Sequence, residues 1–131
     1  GVPTLPGEVT AKFNRLGQGR FRYLILALAV EQMRIRVEQE GPRQASYEQC
    51  AGSLMKIREP RYAIVDFEYK NKDKAVARKI CLIFWCPQSA PYKLKERYSY
   101  YKDTIRRILD GIKEEITATE PRELAAEVLR N

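Results

Sequence analysis

The sequence predicts an α/β (α+β) fold: one central mixed sheet covered by helices on both faces. Three observations carry this. Five segments have strand character, and helical segments precede, interrupt and follow them, which leaves a helix-sheet-helix sandwich as the way to bury every apolar face. The segment Phe21 to Val30 stops alternating between apolar and polar residues, as a strand covered on both sides does. The chain has 131 residues, enough for one core, so residues 1–131 are expected to form a single domain.

In chain order, Val9, Phe13 and Leu16 recur at helical spacing, so Glu8 to Leu16 is expected to be a short helix that stops at Gly17. Gly17-Gln18-Gly19 is a turn, and Phe21 to Val30 is the buried strand. Arg34 to Glu38 places charges between Ile35 and Val37, the pattern of a half-buried partner strand, with Glu31-Gln32 as a tight hairpin connection. Gly41-Pro42 breaks the chain. Ser46 with Gln49 three residues on forms a capping box for a helix reaching Met55. Arg61 to Tyr69 and Lys79 to Trp85 are strands joined by a charged loop, Lys70 to Ala77.

A long helix is expected from Pro91 to Leu109, opened by proline and stopped near Gly111. Its apolar stripe is Leu94, Tyr98, Tyr101, Ile105, Ile108 and Ile112. Ile112 to Thr119 is a short edge strand. Glu120-Pro121 opens a last helix with Leu124, Val128 and Leu129 facing inward.

The chain is 44% hydrophobic and 31% charged, a globular composition. No apolar run approaches the roughly 18 to 20 residues of a membrane span, and Gly1 to Gly7 lacks the basic-then-apolar pattern of a leader. The sequence has no histidine, which removes Ser-His, Cys-His and His-metal chemistry at once. Cys50, Cys81 and Cys86 are too few for a four-cysteine zinc site, and they are expected as reduced, buried thiols, Cys81 and Cys86 on opposite faces. There is no phosphate-binding glycine loop. No enzyme, no metal and no cofactor are expected.

Charge is unevenly spread. The net charge is +7, which favours an acidic partner: nucleic acid, an anionic lipid surface or an acidic protein. Lys70 to Lys79 carries +4, Tyr92 to Arg107 carries +4, and the tail from Ile108 carries −3. Two basic lobes and an acidic tail suit a protein partner better than one continuous nucleic-acid stripe. On the helix, Lys95, Lys102 and Arg106 lie along one flank of the apolar stripe, and Lys93 and Arg97 along the other.

Several blocks resemble the actin-depolymerising factor/cofilin family. Phe84-Trp85-Cys86-Pro87-Gln88-Ser89-Ala90-Pro91 is similar to the family's strand ending in an aromatic-Trp pair followed by x-Pro-x-x-Ala-Pro. Tyr98-Ser99-Tyr100-Tyr101-Lys102-Asp103 resembles its Tyr-Ala-Ser-Ser-Lys-Asp run within a basic helix. Gly1-Val2 with Phe13-Asn14, and Tyr62 to Tyr69, are similar to two further family blocks in the same order. The family fold is a mixed sheet of about five strands flanked by helices, in agreement with the pattern above.

The resemblance implies a monomeric cytoplasmic protein of the actin cytoskeleton that binds actin monomers and filament sides and promotes severing and depolymerisation. Phosphoinositide lipids are a second implied partner, and no specific nucleic acid is expected. For monomers it implies Gly1 and Val2 together with Lys93, Lys95, Glu96 and Lys102 of the long helix. For filaments it implies Arg78 and Lys79 before the Trp-bearing strand, with Glu127 and Arg130 near the end. Glu96 stands where the family usually has Met, and Tyr100-Tyr101 stand where it has small residues; Tyr101 and Trp85 are expected in the core. Two readings stand beside this one. The first is a relative that binds filaments, or the branched-network nucleating complex, without severing. The second is a basic domain that binds phosphoinositide or nucleic acid.

Overall fold

The structure, a computed structural model, describes residues 5–130. Its elements are α1 (Gly7–Gly17), β1 (Phe21–Ala29), β2 (Arg34–Pro42), α2 (Tyr47–Met55), β3 (Arg61–Lys70), β4 (Val76–Trp85), α3 (Tyr92–Ile108), β5 (Glu114–Ala118), a 3-10 turn (Pro121–Leu124) and α4 (Ala126–Arg130). The strands form one mixed sheet in the order β2-β1-β3-β4-β5. The first three pairings are antiparallel, and β5 lies parallel to β4. A parallel pair needs a crossover, and α3 supplies it.

The period-2 alternation of side chains sends each central strand to both faces. Leu24, Leu26 and Leu28 of β1, Tyr62 and Ile64 of β3, and Leu82 and Phe84 of β4 pack under α1 and α3, against Val9, Phe13, Leu16, Tyr98, Tyr101 and Ile105. Tyr23, Ile25, Ala63, Val65, Phe67, Cys81, Ile83 and Trp85 pack on the other face, under Tyr47, Cys50 and Leu54 of α2 and Leu124 and Leu129 of the C-terminal segment. Cys81 and Cys86 fall in opposite layers, as their spacing predicts. Trp85 is buried and donates its Nε1-H to the Ile57 carbonyl at 2.9 Å.

The Ser46 cap forms as the sequence predicts. Gln49 N-H donates to Ser46 Oγ at 3.1 Å, and Ser46 N-H donates to Gln49 Oε1 at 2.7 Å. Gly41-Pro42 does not break the chain; both residues belong to β2. A Cβ on Gly41 would lie 2.1 Å from the Tyr23 ring, so glycine is what lets the strand continue beneath that aromatic face. Pro42 is tolerated because β2 is an edge strand. The charged loop is shorter than expected, because β4 starts at Val76. Asn71 Oδ1 accepts the N-H groups of Asp73 and Ala75 and closes the hairpin tightly.

Two facing assignments are corrected. Ile108 is 43% exposed and Leu109 is buried in its place, because the chain turns extended at Leu109 (φ −88°, ψ 95°) and swings that side chain inward. Val128 is 40% exposed. The C-terminal segment is a 3-10 turn and a separate helix, broken at extended Ala125, so the phase restarts, and Leu124 and Leu129 are buried in the core while Val128 is not.

Candidate functional site

The basic helix α3 rests on the sheet by Tyr98, Tyr101 and Ile105. Its start is set by the rigid run after Trp85: Pro87 accepts Ala90 N-H, and Pro91 precedes the first turn. The two flanks differ. Lys95 Nζ donates to the Gln88 carbonyl at 2.7 Å and ties the first turn of the helix to the loop before it. Lys102 and Arg106 both pair with Glu115 of β5, at 2.7 and 2.9 Å. Burial would raise the Glu115 carboxyl, but the bonds from Lys102 and Arg106 outweigh it and hold the group below its usual range. On the opposite flank Lys93 is exposed, and Arg97 reaches Met33 at the β1-β2 turn. Between the flanks the crown of the helix is open. Glu96 is exposed, and Tyr92 and Tyr100 are 75% and 72% exposed.

Of the four helix residues read from the sequence, Lys93 and Glu96 are exposed, whereas Lys95 and Lys102 are fastened to the fold. Gly1 and Val2 lie outside the described residues.

Arg78 and Lys79 sit on β4, and both are engaged. Lys79 is half-buried, pairs with Glu114 of β5, and holds its ammonium 5.1 Å from the Tyr69 ring centroid. Arg78 Nη2 donates to the Gly17 carbonyl at 3.2 Å, while its Nε lies 3.2 Å from Asp66 Oδ1. Asp66 is 0% exposed. Arg43 Nη1 donates to its Oδ2 at 2.6 Å; Oδ1 accepts no hydrogen bond of good geometry, so Arg78 holds it by charge alone. Glu68, next on the same side, bridges Arg22 and Arg43 at 3.0 Å each, and its bond from Arg22 holds its carboxyl below the usual range. Sequence reading missed this cluster. Asp66 inside an otherwise apolar strand was the available signal, because a carboxylate is buried only when paired.

Glu127 and Arg130 pair with each other across one turn of α4 at 3.5 Å, both exposed. Arg130 lines a surface hollow with Glu68, Tyr69, Lys70 and Val76, so it shares Tyr69 with Lys79. Lys79 and Arg130 therefore lie on the α4 side of the sheet, away from the α3 charges, whereas Arg78, bonded to Gly17 of α1, lies on the same side as α3. The α3 group lies over one layer of the core, and the Arg130 hollow belongs to the α4 side. Among the described residues no group of three His, Cys, Asp or Glu side chains is placed to hold a metal, and no helix is long and apolar enough to cross a membrane.

A five-stranded mixed sheet between helices, with an open crown on its basic crossover helix, defines a domain of the cofilin fold class. The chain belongs to the family described as cofilin/tropomyosin-type actin-binding protein, whose model matches residues 1–131. It is similar to actin-depolymerizing factor 9 of Oryza sativa subsp. japonica, 35% identical over 124 residues that cover 94% of this chain and 88% of that one. It is similar to actophorin of Acanthamoeba castellanii, 36% identical over 123 residues, 93% and 88% of the two chains. Among solved structures, Streptomyces griseoflavus cofilin superposes with a TM-score of 0.87 at 32% identity, covering 98% of this chain and 94% of that one. Glia maturation factor from Caenorhabditis elegans shares the fold at a TM-score of 0.79 and 18% identity, covering 98% and 94%.

Proposed function

We propose that this chain binds actin monomers and the sides of actin filaments and promotes severing and depolymerisation, with residues 1–131 acting as one cofilin-like domain. The observation that carries this is identity of about one third, over nearly the whole length, to a protein named actin-depolymerizing factor. The likeness to glia maturation factor is 18% and that to human coactosin-like protein 13%, and these support the fold alone. The non-severing reading is therefore not favoured.

No covalent step is needed. A protein that binds one arrangement of filament subunits better than another shifts the filament toward it, by as much as its affinities differ. The monomer contact is assigned to the start and crown of α3, with Lys93, Lys95 and Glu96, together with Gly1 and Val2; Lys102 supports the helix through Glu115. The filament contact is assigned to Arg78, Lys79, Glu127 and Arg130. The protein works as a monomer in the cytoplasm, at the actin cytoskeleton, and the surplus of positive charge suits phosphoinositide headgroups as a second partner.

Co-sedimentation with actin filaments tests the reading, scoring both pelleted protein and released actin. Binding with release of actin is expected. Binding without release would restore the non-severing reading. Absence of binding, with retention on phosphoinositide vesicles, would leave only the lipid reading.

A further inference from the structure

Tyr92 and Tyr100 stand open to solvent on the crown of α3, and exposed Glu96 lies midway between them. The spacing of four places the three side chains in one row along the helix. Helical side chains lean toward the N-terminus, so Tyr100 leans over the turn that carries Glu96, and Glu96 over the turn that carries Tyr92. The Tyr100 ring is braced edge-on against Tyr101, with centroids 4.9 Å apart and planes at 89°. Glu96, Arg97, Tyr100 and Tyr101 line an open surface groove.

The charge of this row is opposite to that of the helix around it. The nearby cations are directed elsewhere. Lys95 donates to the Gln88 carbonyl, Lys102 and Arg106 pair with Glu115, and Arg97 turns its Nη1 toward Met33 Sδ at 3.9 Å. Among the described residues no lysine or arginine forms an ion pair with Glu96. The row therefore offers a carboxylate without an internal counter-ion, set between two exposed aromatic rings. A carboxylate attracts a cation, and so does the face of a tyrosine ring, more strongly once water is excluded. An acidic patch facing this row would be repelled.

We infer that the Tyr92-Glu96-Tyr100 row receives a lysine or arginine side chain of the actin surface, its cation on Glu96 and its stem against the ring of Tyr100. The inference rests on the actin reading above and specifies one contact within it. The net charge of +7 favours acidic partners overall, so the crown is a local exception, a contact of the other sign beside exposed Lys93. Opposite signs set side by side on one surface fix the docking register, because a shifted partner brings like charges together. Two rings of few rotatable bonds, one of them braced, hold the row in shape at low entropic cost.

The test titrates the full chain into fluorescently labelled actin monomers at low and at high salt, with native circular dichroism spectra required of every variant. Glu96→Gln keeps the shape and removes the charge, and it is expected to weaken binding about fivefold or more, with Glu96→Lys weaker still. The advantage of wild type over Glu96→Gln should shrink at high salt. Tyr100→Phe should bind like wild type, whereas Tyr100→Leu keeps apolar bulk without the ring face and should lose about threefold or more. Glu96→Gln binding as well as wild type would overturn the inference. Tighter binding by Glu96→Gln would overturn it too, and would mean that an acidic patch faces the row. So would Tyr100→Leu equal to wild type. A wild type that does not bind monomers would overturn the actin reading itself, and this inference with it, whereas a wild type that binds as well as Glu96→Gln overturns this inference alone.

Discussion

The Tyr62 hydroxyl donates to the main-chain carbonyl of Tyr98 at 2.6 Å, inside the core, while the Tyr98 hydroxyl accepts the Leu28 N-H at 2.8 Å. The two tyrosines stand with ring centroids 5.1 Å apart and join β3, α3 and β1 in one chain of bonds. The reason lies in the strand lengths. The β1-β3 ladder ends at Leu26 and Tyr62, so β1 runs on past its neighbour, and the tyrosine hydroxyl meets a backbone group the sheet leaves over.

The two bonds differ in what their loss exposes. Tyr62→Phe removes a donor from a carbonyl at mid-helix, a cost of about 1 kcal/mol. Tyr98→Phe strands the buried Leu28 N-H, a cost of about 1–3 kcal/mol. Urea midpoints at unchanged slope should rank wild type above Tyr62→Phe above Tyr98→Phe. The reverse order would mean that the Leu28 N-H finds another partner.

Lys93→Glu with Lys95→Glu is expected to weaken binding of actin monomers at least tenfold, about 1.4 kcal/mol, with a native circular dichroism spectrum. The single variants should separate the roles. Lys93→Glu acts on binding alone, whereas Lys95→Glu also loses the tie to the Gln88 carbonyl and lowers the urea midpoint. Unchanged monomer affinity in the folded double variant would remove the helix start from the contact.

Arg78 and Lys79 should separate in the same way. Arg78→Ala leaves the buried Asp66 with Arg43 alone, and a loss of about 2 kcal/mol in stability is expected. Lys79→Ala loses its pairing with Glu114 and its position over Tyr69, and should reduce filament binding with little change in monomer binding. Equal losses of Lys79→Ala in both assays would show that the two surfaces are not distinct.

Stability should be flat across neutral pH and fall at both ends. Bonds from Arg61 and Arg22 hold the Glu38 and Glu68 carboxyls below their ordinary 4.5, and Glu115 is likewise low. A lowered pKa contributes stability that is present above 4.5 and lost as pH falls through the folded value. At the other end burial pushes Cys81 up to about 12 and raises Cys50 and Cys86, against an ordinary 9.0. Unfolded thiols then ionise first, so stability declines as pH rises above 9.0. Urea midpoints from pH 3 to 11 check both limbs, and a step between about pH 6 and 8 would contradict the absence of histidine.

For the same reason, release of actin by this chain should change little between about pH 6 and 8. The measurement sets this protein beside a histidine-containing relative on the same filaments. An equally steep response in both would place the sensor on actin.

Most of the fold was legible because apolar spacing repeats over long stretches. Tyr23 to Val30, Tyr62 to Phe67 and Ile80 to Trp85 are too apolar to sit anywhere but mid-sheet, and the Ser46-Gln49 box names its own helix start. Misreadings occurred where one local event resets the phase. The extended turn at Leu109 exchanges Ile108 for its neighbour, and the break at Ala125 exposes Val128. Gly41 carries the local signature of a chain breaker, because the Tyr23 ring that demands a glycine there is 18 positions away in the chain. At the candidate site, residue types were visible but their engagements were not. Nothing in the spacing of Lys102 or Lys95 says that one meets Glu115 of β5 and the other a carbonyl.

Because α3 is the crossover between β4 and its parallel neighbour β5, the helix proposed to meet actin is not an appendage. It lies between two strands of one sheet, and Lys102 and Arg106 rivet its second half to the later strand. Its orientation is thereby inherited from the sheet. A partner that grips the crown pulls on β5 as directly as on the helix, so a load applied at that surface is carried across strand pairing rather than by one helix alone.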